Sequence, residues 1–159
     1  MNLETIKELA LSKKLTLGTV ESITGGSIAA ALTSIPGASS FFKGSLVTYK
    51  NEIKHQVAKI KLSQLKKYGS ISKEVGLSLA EQGKKILHVD ICLSITGNAG
   101  PQPIEDKPVG EVFITVMGPN IVKQEYFLFA GDREAIRKQA VEEGLIMIEK
   151  MLMIANVGS

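Results

Sequence analysis

Ser22, Tyr49 and Lys54 are the residues of this sequence whose types and spacing can supply a nucleophile and its base. A serine hydroxyl attacks poorly until a base takes its proton, and a desolvated lysine with a lowered pKa can act as that base. Tyr49, five positions before Lys54, can hydrogen-bond between serine and lysine or relay the proton. Each residue also has a plain structural use, Lys54 as an exposed helix lysine and Tyr49 as a half-buried strand aromatic. The Thr24-Gly25-Gly26 run after Ser22 is a weak signal alone, because a capped helix with a close-packed glycine pair uses the same letters.

Other chemistries find less support. His55 and His88 stand apart from any Cys/His cluster, so no metal is expected. The glycine fingerprints of polyphosphate and dinucleotide loops are absent, and no other cofactor is expected. Glu21, Glu52, Glu105 and Asp106 leave a paired-carboxylate mechanism open, but nothing in their spacing selects two of them. The net charge of +3 is accompanied by a lysine-rich stretch from Lys50 to Lys73, while aromatic residues make up 5% and tryptophan is absent. That leaves little for base stacking, and a solvated lysine face is expected rather than a nucleic-acid site. No apolar run approaches the length of a membrane span, and the start Met1-Asn2-Leu3-Glu4 lacks a signal peptide's basic and apolar blocks, so the cytoplasm is the expected compartment. Cys92, in the apolar run Val89 to Ile95, reads as a buried, inert thiol.

These residues need elements to place them. Ile6, Leu9 and Ala10 have helical spacing, and Leu15 to Val20 reads as a strand that delivers Ser22. Thr24 is the expected cap of the next helix, which ends at the Pro36-Gly37 loop. Gly44 to Tyr49 reads as the second strand, with Asn51 capping a helix that carries Lys54. Gly69 ends a short helix, and Ser72 opens a longer one to about Leu87. Val89 to Thr96 is a strand running into the loop Thr96-Gly97-Asn98-Ala99-Gly100-Pro101. Val109 to Met117 and Ile121 to Phe129 are strands joined by Gly118-Pro119-Asn120, a turn short enough to demand an antiparallel hairpin. Asp132 caps a final amphipathic helix. The pattern is a single α/β domain over residues 1–159, a three-layer α/β/α sandwich on a mixed, mostly parallel sheet. In such folds, ligands bind outside the carboxyl ends of the parallel strands, where Ser22, Tyr49 and Lys54 should meet the Thr96 loop.

Six segments, in order, resemble the CinA C-terminal domain family: Glu21 to Gly26, Pro36 to Ser40, Val47 to Lys54, Thr96 to Pro101, Lys107 to Gly110 and Gly131 to Arg133. The resemblance spans nearly the whole chain. It implies five strands with one antiparallel, and the activity of a nicotinamide-nucleotide amidohydrolase: nicotinamide mononucleotide and water to nicotinate mononucleotide and ammonia, in pyridine nucleotide salvage. It implies Ser22 as nucleophile in a Ser-Tyr-Lys set with Tyr49 and Lys54. Amides around Thr24, Gly25 and Gly26 would stabilise the oxyanion. Ser39, Thr96, Gly97, Gly100, Arg133 and Arg137 would bind substrate, the arginines and the Gly97 to Gly100 loop serving its phosphate. It also implies a homo-oligomer, a dimer.

The sequence departs from the family pattern at three places. Ile23 stands where cysteine is common, Asn98 where an apolar residue is usual, and Gln102 to Asp106 lacks a glycine pair. These departures motivate an alternative, a catalytically weak nucleotide-binding regulatory or competence-related module. Longer family members carry an N-terminal domain for which this chain has no room, and the chain reads as a stand-alone form.

Overall fold

The computed structural model describes residues 2–156. The single-domain expectation over 1–159 and the leader reading at Met1 therefore touch residues outside those described. The chain runs α1 (Leu3–Lys13), β1 (Leu17–Glu21), α2 (Ser27–Leu32), a 3-10 turn (Ala38–Ser40), β2 (Phe42–Val47), α3 (Asn51–Gln56), α4 (Leu62–Tyr68), α5 (Lys73–Leu87), β3 (Ile91–Gly97), β4 (Glu111–Met117), β5 (Val122–Leu128) and α6 (Arg133–Ile154).

The five strands form one sheet in the order β2-β1-β3-β4-β5. Strands β2 and β3 pair parallel with β1, whereas β4 runs antiparallel to both β3 and β5. Four strands thus share a direction and β4 opposes them, as the short Gly118-Pro119-Asn120 connection requires. Alternation along each strand separates two faces. Leu17, Ile91, Leu93, Ile95, Val112, Ile114 and Val116 join a core with residues of α1, α2 and α6. On the opposite face, Val20 and Cys92 meet Leu65 of α4 and Val75 and Leu79 of α5. Helix α5 lies close on the sheet at Gly83, where an added Cβ would come 2.7 Å from Cys92 Sγ and collide with Val20. That packing leaves Cys92 buried and pushes its thiol up to about 12, so it stays uncharged at neutral pH.

Caps formed by a nearby side chain match the sequence reading. Ser72 accepts from the Val75 amide, and Asp132 accepts from the Ala135 amide. Two others differ. Helix α2 begins at Ser27 after Gly26, and the Thr24 hydroxyl donates to Glu21 rather than capping. The exposed donors of α2 are met by the Glu21 carboxylate, which accepts from the amides of Ile28 and Ala29, both at 2.9 Å. Asn51 is the first residue of α3 and not its cap, a place taken by Lys50 without a side-chain bond. Strand β2 also ends sooner than expected, at Val47, so Thr48 and Tyr49 belong to the link into α3.

Register brings the functional ends together. Glu21 of β1 lies opposite Val47 of β2 and Ile95 of β3, Gly97 opposite Val112, and Glu111 opposite Leu128, just before α6. The carboxyl ends of β1, β2, β3 and β5 therefore share one edge of the sheet.

Candidate active site

Ser22 is the first residue beyond β1, and its amide still donates to Ile95 of β3 at 3.0 Å. The chain then turns sharply: Gly25 donates to the Ser22 carbonyl at 3.1 Å, and Ser27 donates to the Thr24 carbonyl at 3.0 Å. Gly25 and Gly26 sit at φ of 60° and 102°, left-handed backbone that glycine adopts without a Cβ clash. Glu21 anchors the turn from beneath. Fully buried, its carboxylate accepts from Thr19 and Thr24 hydroxyls, both at 2.8 Å, besides the two α2 amides. The amides of Ile23 and Thr24, the two residues that follow Ser22, find no acceptor among the described residues.

Lys54 projects from α3 into the interior and is 1% exposed. Its Nζ lies 3.1 Å from Ser22 Oγ, 2.7 Å from the Thr48 carbonyl and 3.2 Å from the Tyr49 carbonyl. Burial lowers its pKa from 10.5 to about 8, and the charge of Glu105 offsets part of that shift. The two carbonyls also orient the group. A neutral amine has two N–H donors and one lone pair; with both donors on the carbonyls, the lone pair faces the Ser22 hydroxyl. The arrangement is a base aimed at a nucleophile.

Ser22, Tyr49, Lys54, Thr96, Gly97 and Arg133 of the expected site line one cavity of about 210 Å³. The role expected of the Tyr49 hydroxyl is corrected. Tyr49 is 57% exposed, and its hydroxyl accepts from Arg133 Nη2 at 2.9 Å instead of bridging Ser22 and Lys54. Its backbone carbonyl, not its phenol, touches the lysine. Arg133, the first residue of α6, also donates to the Gly100 carbonyl at 2.7 Å and so ties that loop to Tyr49.

The other expected residues lie outside the lining. Arg137 donates to the carbonyls of Ile23 and Thr24 at 3.1 and 3.2 Å, bracing the turn after Ser22. Thr24, Gly25 and Gly26 form that turn, the Gly25 amide expected to meet an oxyanion donates to the Ser22 carbonyl instead, and Gly100 contributes its carbonyl to Arg133. Ser39 is exposed in the 3-10 turn and does not reach the cavity.

The rest of the lining includes Glu105, which the sequence offered only as one of four unselected carboxylates, and Ser70, Ile71 and Ile104, for which the sequence reading gave no role. Ile23, Asn51, Ser70, Ile71, Ala99, Ile104 and Glu105 complete the lining. Ser70 accepts from Thr96 Oγ1 through its carbonyl at 2.8 Å and gives its hydroxyl to Glu105 at 2.7 Å. The Gly69-Ser70 break between α4 and α5 was the visible clue, since a hydroxyl at such a break often serves a neighbouring loop. Asn98, fully buried, explains its own departure from an apolar residue: its amide nitrogen reaches the Gln102 and Lys107 carbonyls, and its oxygen accepts from Gly100. Among the described residues no group of three or more His, Cys, Asp or Glu side chains converges as a metal site would require.

The family model for the CinA C-terminal domain matches residues 2–152. The CinA-like protein of Petrotoga mobilis is 41% identical over 141 residues, covering 86% of this chain and 34% of that protein. The CinA-like protein of Endomicrobium trichonymphae is 40% identical over 146 residues, covering 91% and 34%. The chain thus spans about a third of the length of these curated relatives. Among solved structures, competence damage-inducible protein A (ComA) of Klebsiella pneumoniae superposes with a TM-score of 0.92 at 25% identity, covering 96% of this chain and 95% of that one. The competence/damage inducible protein CihA of Agrobacterium tumefaciens gives 0.80 at 29% identity, covering 92% and 94%. A match over residues 2–152, together with the mixed sheet and the collinear segments, places this chain in the CinA C-terminal domain family.

Proposed function

We propose that this chain is an amidohydrolase that needs no metal and converts nicotinamide mononucleotide and water to nicotinate mononucleotide and ammonia. The observation that carries the reading is Lys54 Nζ at 3.1 Å from Ser22 Oγ, with its donors occupied by two carbonyls. In this mechanism neutral Lys54 takes the Ser22 proton as Oγ attacks the carboxamide carbon. The negative oxygen that forms is met by the unpaired amides of Ile23 and Thr24. Collapse breaks the C–N bond, and protonated Lys54 returns the proton to the departing nitrogen, releasing ammonia and leaving an acyl ester on Ser22. Water, deprotonated by Lys54, then attacks the ester; the carboxylate leaves and Ser22 is regained.

Arg133 is the cationic group available to the substrate phosphate, and Tyr49 holds its guanidinium in place. Arg137 and Glu21 act beneath the site by fixing the turn that presents Ser22. The reading includes a cytoplasmic enzyme of pyridine nucleotide salvage that works as a homodimer. Among the described residues no helix is long and apolar enough to cross a membrane.

Incubation of the pure protein with nicotinamide mononucleotide tests the proposal. It should yield nicotinate mononucleotide and ammonia in equal amounts. Saturable binding of the mononucleotide with neither product would instead assign the fold to a silent nucleotide-binding module.

A further inference from the structure

The cavity beside Ser22 is lined by three ionisable groups of strong charge: Lys54, Arg133 and Glu105. Two are cationic, and at pH 7 Lys54 remains largely protonated with a pKa of about 8. Such a cavity repels a cationic ligand unless a carboxylate answers it. Glu105 is that carboxylate, the one acid lining the cavity among the described residues. It stands at φ 53° in the loop between β3 and β4, exposed to solvent and held by the Ser70 amide at 3.1 and 3.2 Å and the Ser70 hydroxyl at 2.7 Å. These bonds fix the carboxylate without neutralising it. Arg133 enters the same cavity from α6, tied to Tyr49 and Gly100. The polar lining is therefore bipolar, with a fixed anion on the Ser70 side and a fixed guanidinium on the α6 side.

We infer that Glu105 is a specificity-determining residue that selects amides borne on a cationic, quaternised pyridine ring over the same amides on a neutral ring. The inference rests on the amidohydrolase reading and adds the element that chooses among its substrates. A ring cation meets Glu105 while an anionic tail meets Arg133, so a substrate with the two charges separated fits where a uniformly anionic or neutral one loses a contact. Charge also serves the chemistry. A cationic ring withdraws electrons from its carboxamide carbon, and it disfavours a proton on nearby Lys54, the form that cannot act as base. Glu105 makes that cation admissible beside a lysine.

The test compares nicotinamide mononucleotide with its 1,4-dihydro form, which keeps the ribose phosphate and the amide but has a neutral ring. Dissociation constants for both are measured by calorimetry in Ser22→Ala, which prevents turnover, and again after adding Glu105→Gln or Ser70→Ala. Glutamine keeps an oxygen for Ser70 and removes only the charge. The preference for the cationic form should fall about tenfold with Glu105→Gln, the order expected for one partly solvated charge contact, and persist in Ser70→Ala. An unchanged preference in Glu105→Gln overturns the inference, and so does an equal loss in Ser70→Ala, which would assign the effect to loop closure. Ammonia release by the wild-type protein is read in parallel. Charge-selective binding without ammonia rejects the amidohydrolase reading and leaves this inference standing; ammonia with an unaltered preference does the reverse. Failure to bind either form rejects both.

Discussion

Lys54 makes the pH profile of this protein diagnostic. With its pKa lowered from 10.5 to about 8, roughly one-tenth of the lysine is neutral at pH 7. An unperturbed lysine would be neutral about 300 times less often. Ammonia release at substrate concentrations well below KM reports the free protein. Under those conditions the rate should climb about tenfold per pH unit below pH 8 and level off above it. Because Glu105 opposes the effect of burial, Glu105→Gln should move this rise to lower pH. Lys54→Met should abolish the pH limb and cost about a hundredfold to ten-thousandfold in rate. A limb centred near 10.5, or a wild-type limb that survives in Lys54→Met, would refute the assignment of Lys54 as base.

Further expectations follow from the same contacts. The folded pKa of Lys54 lies below its unfolded value, so the unfolded chain binds more protons between pH 8 and 10.5 and stability rises with pH across that window. Relative to Lys54→Met, the wild-type protein should gain about 3 kcal/mol over this interval in urea titrations, and a flat difference would mean the amine is not desolvated. Glu21→Gln replaces an acceptor oxygen by a donor among five hydrogen bonds, and should lower stability by about 2–3 kcal/mol while also depressing ammonia release. Arg133→Ala should raise KM for the mononucleotide about tenfold or more and leave KM for the phosphate-free riboside nearly unchanged. Equal changes for the two substrates would remove Arg133 from phosphate binding. Sedimentation should give the mass of a dimer, and a monomer at micromolar concentration would contradict the homo-oligomer.

Much of the frame was legible because it depends on local chemistry. The Gly118-Pro119-Asn120 turn leaves no room for a parallel crossover, and Ser72 and Asp132 cap helices through atoms only three residues away. Where the structure departs, the partner is distant or is backbone. Helix α2 takes its cap from Glu21, seven and eight residues upstream, so the adjacent Thr24 was the natural but mistaken choice. The Tyr49 phenol drew attention as a side chain able to bond, yet Lys54 uses the Thr48 and Tyr49 carbonyls, which no residue type announces. Ser70 and Glu105 reach the cavity only because the β3–β4 loop folds over Gly69, a placement set by Asn98 and by contacts across 35 residues. Ser39, expected at the site from resemblance, lies in an exposed turn instead.

The central claim is that Ser22 Oγ, activated by Lys54, attacks a pyridine carboxamide. The rate of ammonia release from nicotinamide mononucleotide by Ser22→Ala, set against wild type at pH 8, tests it most directly. Loss of the nucleophile should reduce the rate by at least about a thousandfold while binding persists. A Ser22→Ala protein that releases ammonia as fast as wild type would contradict it.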